Sequence, residues 1–399
     1  MPTRFGAYTI REPLGAGGMA QVDLADWNPI SGPSRRVALK RLFPHIAENR
    51  DLLAMFIDEA RLARYLRHPN IAEVYEFGRI SGTYFIAFEF VQGVTVQQLA
   101  RQCEERVGYI PIPFVLEIVC QLCDALHHAH NLCDEHGLAL GIVHRDVSPQ
   151  NLIVSTAGFV KLIDFGLAKA KLSSVESHSG IIKGKLNYVA PEYIAGTLDQ
   201  RCDLWAVGVL MHELLTGNRL FDAPDNFVTL DRVRSMAIPP PSRFRAEVTS
   251  ELDDIVFKAL ERDAKKRWQN AASLRAAIAK HAKEYPPVTK SQLVQWVEWA
   301  FGQKQKLRQD SGLSALHDII ESGQIEAIDE DAASVAARLP ATSAAITERQ
   351  RESVAAMPVG EAMLNRHRQP RVRTWLLLLL VLAATAAALV HFGVVKLPT

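Results

Sequence analysis

Net charge is almost absent from this chain of 399 residues, in which 45 lysines and arginines are balanced by 44 acidic residues. Without an excess of either sign there is no global field that favours nucleic acid, so the composition predicts no nucleic-acid partner. Cysteine is also scarce, with five residues. An odd number at irregular spacing argues against a disulfide framework and fits a reducing compartment.

Two of these cysteines, Cys120 and Cys123, form a C-x-x-C pair close to several histidines, a composition that zinc sites share. The spacings match no zinc module, however, and apolar side chains recur through the segment at helical intervals. They are Val115, Leu116, Val119, Leu122, Cys123 and Leu126. We therefore expect Cys123 to lie in the core face of a helix rather than on a metal ion.

Long apolar runs are missing near the N-terminus, so the sequence predicts no export by a signal peptide. Residues 375–395 are the exception, and their length matches the roughly 20 residues of a membrane-spanning helix. The flanking basic residues are Arg366, Arg368, Arg371 and Arg373 before the run and Lys396 after it. By the positive-inside rule we expect a single-pass, tail-anchored protein of the cell inner membrane, with residues 396–399 outside and the rest cytoplasmic. The alternative is a buried core helix.

The most informative stretch is the sequence IVHRDVSPQN at residues 142–151. Its apolar start leads into a loop, because Pro149 lacks an N–H group and has a fixed φ angle that excludes helix. Asp146 and Asn151 lie in this loop, and Asp164 follows in an Asp-Phe-Gly triplet after an apolar run. One carboxylate to accept a proton, with an amide and a second carboxylate to hold metal, is the set that phosphoryl transfer requires.

These two motifs resemble the catalytic loop and the metal-binding motif of the protein kinase family, in particular the bacterial eukaryotic-like (Hanks-type) serine/threonine kinases, with VSPQN as a variant loop. The resemblance spans residues 8–284 in family order. It implies an α+β bilobal fold, with a strand-rich lobe over residues 1–90 and a helical lobe over residues 91–284. Within the first lobe, strands are predicted around residues 71–75 and 84–88. The implied activity is transfer of the γ-phosphate of ATP to Ser or Thr of protein substrates in signalling.

Further family landmarks precede the loop. A glycine-rich turn in YTIREPLGAGGMAQV lets the backbone approach a phosphate, although Ala20 stands where the family usually has its third glycine. Lys40 ends an apolar strand, and Glu59 matches its partner better than the adjacent Asp58, within a helical pattern over residues 52–66. The resemblance assigns nucleotide contacts to Leu14, Gly15, Gly17, Gly18, Val22, Ala38, Lys40, Glu89, Val91 and Ile153.

The family also implies a role for each catalytic residue. Asp146 would orient the acceptor hydroxyl and accept its proton. Asn151 and Asp164 would hold Mg²⁺, and Lys40, held by Glu59, would position the phosphates of ATP. The remaining matches are structural: Asp203, which would brace the backbone of the catalytic loop, and the pair Glu192 and Arg267.

Two positions depart from the family. Ser148 stands where the loop has a lysine that touches the γ-phosphate, and Lys185 stands where a threonine usually follows Gly184. We hypothesise that the hydroxyl and the ammonium have also exchanged places in space, so that Lys185 reaches Asp146 and the γ-phosphate. The alternative is a Lys185 that faces solvent. The departures also support a second function, a membrane-tethered pseudokinase or nucleotide-binding scaffold, although the other catalytic residues are all present.

Residues 167–189 have no strong periodicity and resemble an activation segment. The segment contains no threonine, and its candidates for phosphorylation are Ser173, Ser174, Ser177 and Ser179. In the family such a phosphate pairs with the arginine before the catalytic aspartate, here Arg145. Glu176 is the alternative, as a fixed acid. We expect autophosphorylation, with a homodimer as the species that performs it.

An amphipathic helix is predicted over residues 285–302, with Ser291 as N-cap and Gly302 beyond its end. Its apolar stripe consists of Leu293, Trp296, Val297, Ala300 and Phe301. The stripe predicts docking on the larger lobe, and partner binding is the alternative. Residues 303–374 are rich in Ala, Ser, Glu, Gln and Arg and contain few aromatics, which predicts a mostly disordered cytoplasmic linker.

Overall fold

The computed structural model describes residues 3–29, 32–106, 108–165, 186–193 and 198–302. Within them the chain forms a lobe built on a sheet and a second, mostly helical lobe. The predicted bilobal α+β fold is therefore confirmed. The predicted linker and membrane helix, Lys185 and the candidate serines of the activation segment all lie outside the described residues.

The small lobe is built on an antiparallel sheet with the strand order β1-β2-β3-β4-β6-β5. Its strands are β1 (Thr3–Phe5), β2 (Tyr8–Ala16), β3 (Ala20–Trp27), β4 (Arg35–Leu42), β5 (Val74–Ile80) and β6 (Thr83–Glu89). Strand β4 has the alternation that such a sheet requires, since Val37 and Leu39 are fully buried on one face. Ala38 and Lys40 lie on the other, partly open face, which is therefore the face that can meet a ligand.

Two helices follow β4, the short α1 (Pro44–Ala47) and the longer α2 (Arg50–Ala63). The side chain of Asn49 caps α2 by accepting hydrogen bonds from two backbone N–H groups of its first turn. This cap explains why the helix begins earlier than the predicted residues 52–66. The apolar face of α2, which includes the buried Phe56, packs against the sheet.

The large lobe is mostly helical. Its helices are α3 (Val96–Arg106), α4 (Ile112–His130), α5 (Arg201–Thr216), α6 (Asn226–Ser235), α7 (Ser250–Ala259), α8 (Ala271–His281) and α9 (Lys290–Gly302). Among the described helices, only α4 is long and apolar enough to cross a membrane. Most of α4 is buried, including Val115, Val119 and Cys123, which identifies it as the core helix of the lobe. The predicted core position of Cys123 is thus confirmed.

A small antiparallel sheet, in the order β7-β8-β9, completes the large lobe. Its strands are β7 (Gly93–Thr95), β8 (Leu152–Ser155) and β9 (Val160–Leu162). Strands β8 and β9 form a hairpin between the catalytic loop and Asp164. The fold therefore places the two motifs found in the sequence at the two open ends of one hairpin.

The strand predicted around residues 71–75 is wrong in its first half, because β5 begins only at the end of that range. Ile71 instead forms an isolated parallel bridge with Leu162 of the large lobe. The backbone N–H of Leu162 donates to the carbonyl of Asn70, and the N–H of Ala72 donates to the carbonyl of Leu162. These bonds occupy the backbone groups that pairing within the small-lobe sheet would need.

The predicted last helix is present as α9, but it begins at Lys290 rather than at residue 285, and the predicted cap is wrong. The hydroxyl of Thr289 accepts a hydrogen bond from the N–H of Gln292, whose side-chain oxygen accepts one from the N–H of Thr289. This reciprocal capping box is not available to Ser291, since the residue three positions after it is apolar. Ser291 and Gly302 both lie inside the helix. The apolar stripe docks on the large lobe through Leu293, Trp296 and Ala300.

Candidate active site

The catalytic loop is held by Asp203, in the first turn of α5. Its buried carboxylate accepts hydrogen bonds from the backbone N–H groups of His144 and Arg145, each at 2.8 Å, and from Nε2 of His130 at 2.8 Å. Burial alone would favour the protonated acid, but the bond from His130 and the neighbouring groups outweigh it and lower the pKa of Asp203. The carboxylate is therefore charged at neutral pH and fixes the loop backbone.

Two positions of the site have a backbone conformation that is rare for residues with a side chain. The φ angle is +64° at Arg145 and +55° at Asp164, both in the left-handed region. Such strain clusters at functional sites and persists only where the surroundings fix it. The bond from the N–H of Arg145 to Asp203 fixes the first position. At the second, the ring of Phe165 packs 4.6 Å from that of His144, measured between centroids.

Asn151 is bound to Asp146 across the loop. Its Nδ2 donates to the backbone oxygen of Asp146 at 2.8 Å and to its Oδ2 at 2.7 Å. The amide nitrogen is thus used inside the loop, which leaves Oδ1 as the atom of this side chain that can ligate a cation. The loop therefore orients Asp146 and Asn151 together.

Lys40 joins the two lobes. Its Nζ lies 2.9 Å from Oε1 of Glu59 on α2 and 3.2 Å from Oδ1 of Asp164. Burial disfavours the ammonium charge, but the carboxylates of Asp164 and Glu59 outweigh it and raise the pKa of Lys40. The side chain of the adjacent Asp58 is 65% exposed, so Glu59 is the residue that pairs with the lysine.

The glycine-rich segment forms the turn between β2 and β3. The N–H of Gly17 donates to the carbonyl of Ala20 at 2.9 Å, which closes the turn over Gly18. Among the described residues, a Cβ built on Gly15 would meet no atom within 4 Å, and one on Gly17 would meet only that carbonyl, at 3.9 Å. The space beside the turn is therefore open to a ligand that the backbone can approach closely.

The strand register brings other predicted nucleotide contacts onto one face of the sheet. Val22 of β3 pairs with Lys40 of β4, and Ala38 lies two residues from Lys40 on the same face. All three are partly exposed, in contrast to the buried opposite face. Leu14 is exposed near the end of β2, and Ile153 lies on the half-buried face of β8.

The segment between the lobes begins at the end of β6. The carboxylate of Glu89 accepts a hydrogen bond from Nζ of Lys161 at 2.7 Å, and its N–H donates to the carbonyl of Glu73. With its N–H and its Oε2 engaged, we expect Glu89 to contact adenine through its backbone carbonyl oxygen. Val91 follows in the same segment and is buried.

Ser148 is only 3% exposed, and its hydroxyl has no hydrogen-bond partner within the described part of the chain. Its backbone carbonyl accepts the N–H of Asn151 at 3.0 Å, so the residue is part of the loop turn. Because Lys185 lies outside the described residues, the predicted exchange between the two stays a prediction.

The segment that ends in Ala190-Pro191-Glu192 is tied to the large lobe by one buried ion pair. The guanidinium of Arg267 donates to both carboxylate oxygens of Glu192, at 2.7 and 2.9 Å. Arg267 is buried and also lies over the ring of Trp205, 5.3 Å from its centroid. The pairing that the resemblance implied is present.

Two residues that shape the site were not predicted, His130 and Lys161. His130 ends the apolar helix α4, and its side chain, like that of Asp203, is 1% exposed. Lys161 of β9 binds Glu89 at the start of the connection between the lobes. Neither contact has a signal in the sequence, because partners 73 and 72 residues apart meet only in the folded chain.

The site fits a hard divalent cation held jointly with phosphate. Asn151 and Asp164 supply oxygen donors, which Mg²⁺ prefers, and the N–H of Ile163 donates to the carbonyl of Asn151 at 2.9 Å. In the described ranges no cluster of three His, Cys, Asp or Glu side chains could hold a metal by itself. That agrees with a cation that takes its other ligands from a nucleotide and water.

Comparison with known families and sequences gives one consistent result. The model of the protein kinase domain family matches residues 8–281. The tyrosine-protein kinase MasK of Myxococcus xanthus is 36% identical over 282 residues, which cover 70% of this chain and 44% of MasK. The serine/threonine-protein kinase PknB of Mycolicibacterium smegmatis is 35% identical over 293 residues, 71% of this chain and 44% of PknB.

The serine/threonine-protein kinase PrkC of Bacillus subtilis is 31% identical over 274 residues, 68% of this chain and 40% of PrkC. Among solved structures, the kinase domain of Mycobacterium tuberculosis PknI superposes with a TM-score of 0.55 and 27% identity. The match covers 71% of this chain and 98% of that domain. The chain spans less than half the length of these curated relatives.

Proposed function

The chain belongs to the protein kinase family, and we propose that it is an ATP-dependent serine/threonine protein kinase that acts in signalling. One observation carries the proposal. Nζ of Lys40 lies 2.9 Å from Glu59 and 3.2 Å from Asp164, which brings the phosphate-positioning cation beside a candidate metal ligand. Catalysis of phosphoryl transfer consists largely of such positioning and charge stabilisation.

In the proposed mechanism, Asp146 accepts the proton of the acceptor hydroxyl while the bond from Asn151 holds its carboxylate in orientation. Lys40 contacts the phosphates of ATP, and Glu59 keeps its ammonium in place. Asn151 and Asp164 would hold Mg²⁺, which when bound neutralises charge on the phosphates. The open glycine turn covers the phosphates with backbone N–H groups.

The acceptor residue is proposed to be serine or threonine rather than tyrosine. PknB and PrkC carry serine/threonine in their names, and the Pro149 loop resembles that class. The name of MasK, a tyrosine-protein kinase, supports the alternative that tyrosine is the acceptor. Phosphoamino-acid analysis of labelled product separates the two, and phosphotyrosine alone would contradict the proposal.

The decisive experiment is transfer of radiolabelled γ-phosphate by the full-length chain, with Asp146→Asn as the control. We expect wild-type incorporation and a loss of about 10²–10⁴-fold in the variant, the usual contribution of a positioned base. The pseudokinase alternative draws on the absence of the loop lysine at Ser148. ATP binding without any transfer by wild-type protein would favour that alternative.

Lys185 is proposed to supply the positive charge that the loop lysine provides in the family. Lys185→Ala should then lower kcat by roughly 10²–10³-fold, the size of losing one transition-state donor. Lys185→Thr should be partly rescued by Ser148→Lys, because the two positions act as a unit. Near-normal kcat in Lys185→Ala would exclude the exchange.

Activation by autophosphorylation in a homodimer is proposed from Arg145, whose strained backbone is fixed beside the catalytic aspartate. Arg145 would pair with a phosphate on one of the serines of the activation segment. Active protein should label an Asp146→Asn copy in a mixture. Labelling confined to the active copy would contradict transfer between copies, and full activity after all four serines become alanine would exclude the switch.

We also propose that residues 375–395 anchor the kinase in the inner membrane, with the catalytic domain in the cytoplasm. The support is the apolar length and the four arginines on one side against a single lysine on the other. Deleting residues 371–399 should move the protein from the membrane fraction to the soluble fraction. Full-length protein that is already soluble in cells would contradict the anchor.

A further inference from the structure

Helix α9 lies beyond the region that matches the kinase family, which ends at residue 281, yet it is packed into the large lobe. Leu293 and Trp296 are fully buried. The ring of Trp296 stacks on that of Phe114, at the start of α4, with 4.5 Å between centroids and 12° between planes. The helix is thus fixed to the core of the lobe by aromatic packing.

The first turn of α9 touches the turn of the β8–β9 hairpin. Gly158 is buried with a φ angle of +75°, and a Cβ built on it would lie 2.5 Å from the backbone oxygen of Lys290. The two backbones therefore approach too closely for any side chain at this position. Nζ of Lys290 also lies over the ring of Phe159, 3.6 Å from its centroid, which is a close cation–π contact.

The two arms of this hairpin lead to the two candidate metal ligands. Strand β8 begins directly after Asn151, and β9 ends two residues before Asp164. The N–H of Ile163 donates to the carbonyl of Asn151 at 2.9 Å, which closes the open end of the hairpin. A strand of four residues spans only about 13 Å. The turn held by α9 and the ligand pair are therefore opposite ends of one short, hydrogen-bonded unit.

The other side of the hairpin is held independently of α9. Oε1 of Gln121 accepts hydrogen bonds from the N–H of Val160 at 2.8 Å and from Nδ2 of Asn70 at 2.7 Å. Asn70 also donates to the carbonyl of Val160. Gln121 also donates from Nε2 to the carbonyl of Gly158 at 3.5 Å, so loss of the α9 contact would not unfold the hairpin. It would remove the backbone contact of Lys290 with Gly158 and its cation–π contact with Phe159, and so loosen the turn.

We propose that Lys290 and Trp296 are positioning residues for metal binding: through the turn of the β8–β9 hairpin, they set the separation of Asn151 and Asp164. The inference rests on the proposed function in assigning those two residues to Mg²⁺. It gives a role in the active site to α9, a helix that contains none of the residues assigned to nucleotide, metal or acceptor. The cation should bind more weakly when the turn is released.

The test compares full-length variants Lys290→Ala and Trp296→Ala with wild type and with Lys283→Ala, which removes an exposed lysine of the preceding segment. The first measurement is Mn²⁺ binding, by electron paramagnetic resonance, in the presence of a non-hydrolysable ATP analogue. The second is the Mg²⁺ concentration that gives half-maximal kcat. We expect both constants to rise roughly threefold to tenfold in Lys290→Ala, a range that losing one cation–π contact allows. They should also rise in Trp296→Ala, because α9 then loses its stacking on Phe114. Lys283→Ala should match wild type.

Conservative variants separate positioning from folding. Lys290→Arg retains the cation–π contact and should restore the wild-type constants. Trp296→Phe keeps an aromatic ring to stack on Phe114, although it loses part of the indole ring together with an N–H that has no partner in the described structure, so it should restore most of the wild-type values. Unchanged cation constants in Lys290→Ala, or an equal change in Lys283→Ala, would overturn the inference. Wild-type protein that binds Mn²⁺ and ATP without phosphate transfer would contradict the proposed function alone.

Discussion

The large lobe and the small lobe hold their parts of the site through different kinds of contact. In the large lobe, one buried carboxylate, Asp203, binds two backbone N–H groups of the catalytic loop and a buried imidazole. In the small lobe, Lys40 is held by side chains alone, and Glu59 belongs to a helix that rests on the sheet through a small apolar cluster. The position of the catalytic loop is therefore fixed by buried hydrogen bonds within the large lobe, whereas the position of the Lys40 ammonium depends on the position of α2.

The largest effect is expected from Asp203→Ala, because it leaves three buried donors without their acceptor. We expect the free energy of unfolding to fall by about 3–5 kcal/mol, as when one partner of a buried charged network is removed. Denaturant titration measures it. The control is Asp199→Ala, which removes a half-exposed carboxylate just before the same helix and should cost less than about 1 kcal/mol. Equal costs would show that the loop is not held by Asp203.

Glu59→Gln should affect activity more than stability, in contrast to Asp203→Ala. It removes the charge that holds Lys40 but keeps the shape of the side chain, and Lys40 retains Asp164 as a second partner, so the unfolding free energy should fall by less than in Asp203→Ala. The value of kcat should fall roughly 10²–10³-fold, because the cation that meets the phosphates is no longer positioned. Asp58→Asn, next to it and exposed, is the matched control. A large loss of stability with retained kcat would reverse the comparison between the lobes.

Ser148→Ala should separate stability from activity at one position. Removing a buried hydroxyl that has no partner in the described structure should raise the unfolding free energy by about 1 kcal/mol. Under the proposed exchange with Lys185 it should also lower kcat by about tenfold, the value of one hydrogen bond. Ser155→Ala is the contrast, since that hydroxyl accepts the N–H of Phe159 and its loss should destabilise. A stabilised variant with unchanged kcat would leave Ser148 without a catalytic role.

The smallest effect concerns pH. Burial lowers the pKa of His212, which donates from Nε2 to the carbonyl of Pro239 in the large lobe. The unfolded chain therefore takes up this proton first, and stability should fall as pH drops below about 6.5. The pKa values of Lys40 and Asp203 shift in directions that keep both groups charged from pH 5 to 9.

Melting temperatures between pH 7.5 and 5.5 should depend less on pH in His212→Gln than in wild type. An exposed-site control, His136→Gln, should behave as wild type. A slope unchanged by His212→Gln would contradict this assignment.

Interactions between residues close together in the sequence could be predicted, whereas interactions between distant segments could not. The loop around Asp146 could be predicted because its functional groups lie within one continuous segment with fixed turn chemistry. The pair Lys40 and Glu59 required the family resemblance, since nothing local joins a strand end to a helix face. The bridge of Ile71 to β9 and the bond of His130 to Asp203 could not be predicted, because they depend on how two lobes and two helices meet.

The prediction of the N-cap of α9 was wrong for a different reason. Thr289 and Ser291 are both acceptable caps by residue type, and only the glutamine three positions after Thr289 distinguishes them. A prediction that weighed the reciprocal bond, rather than the hydroxyl alone, would have chosen correctly. The helix itself was predictable because its apolar spacing is strong, whereas its contact with Gly158 depends on packing between distant segments.

The cysteines give the molecule a single natural attachment point for a probe. Burial raises the pKa of Cys120 to about 12 and raises those of Cys123 and Cys202 as well, so these thiols resist alkylation while the fold is intact. Cys103 is buried too, and Cys133 alone among the five is exposed, in the loop between α4 and the catalytic loop. A maleimide dye should therefore label the native chain once, a short distance from Asp146 along the sequence. The rate at which the buried cysteines take up further dye would then measure how fast the large lobe opens.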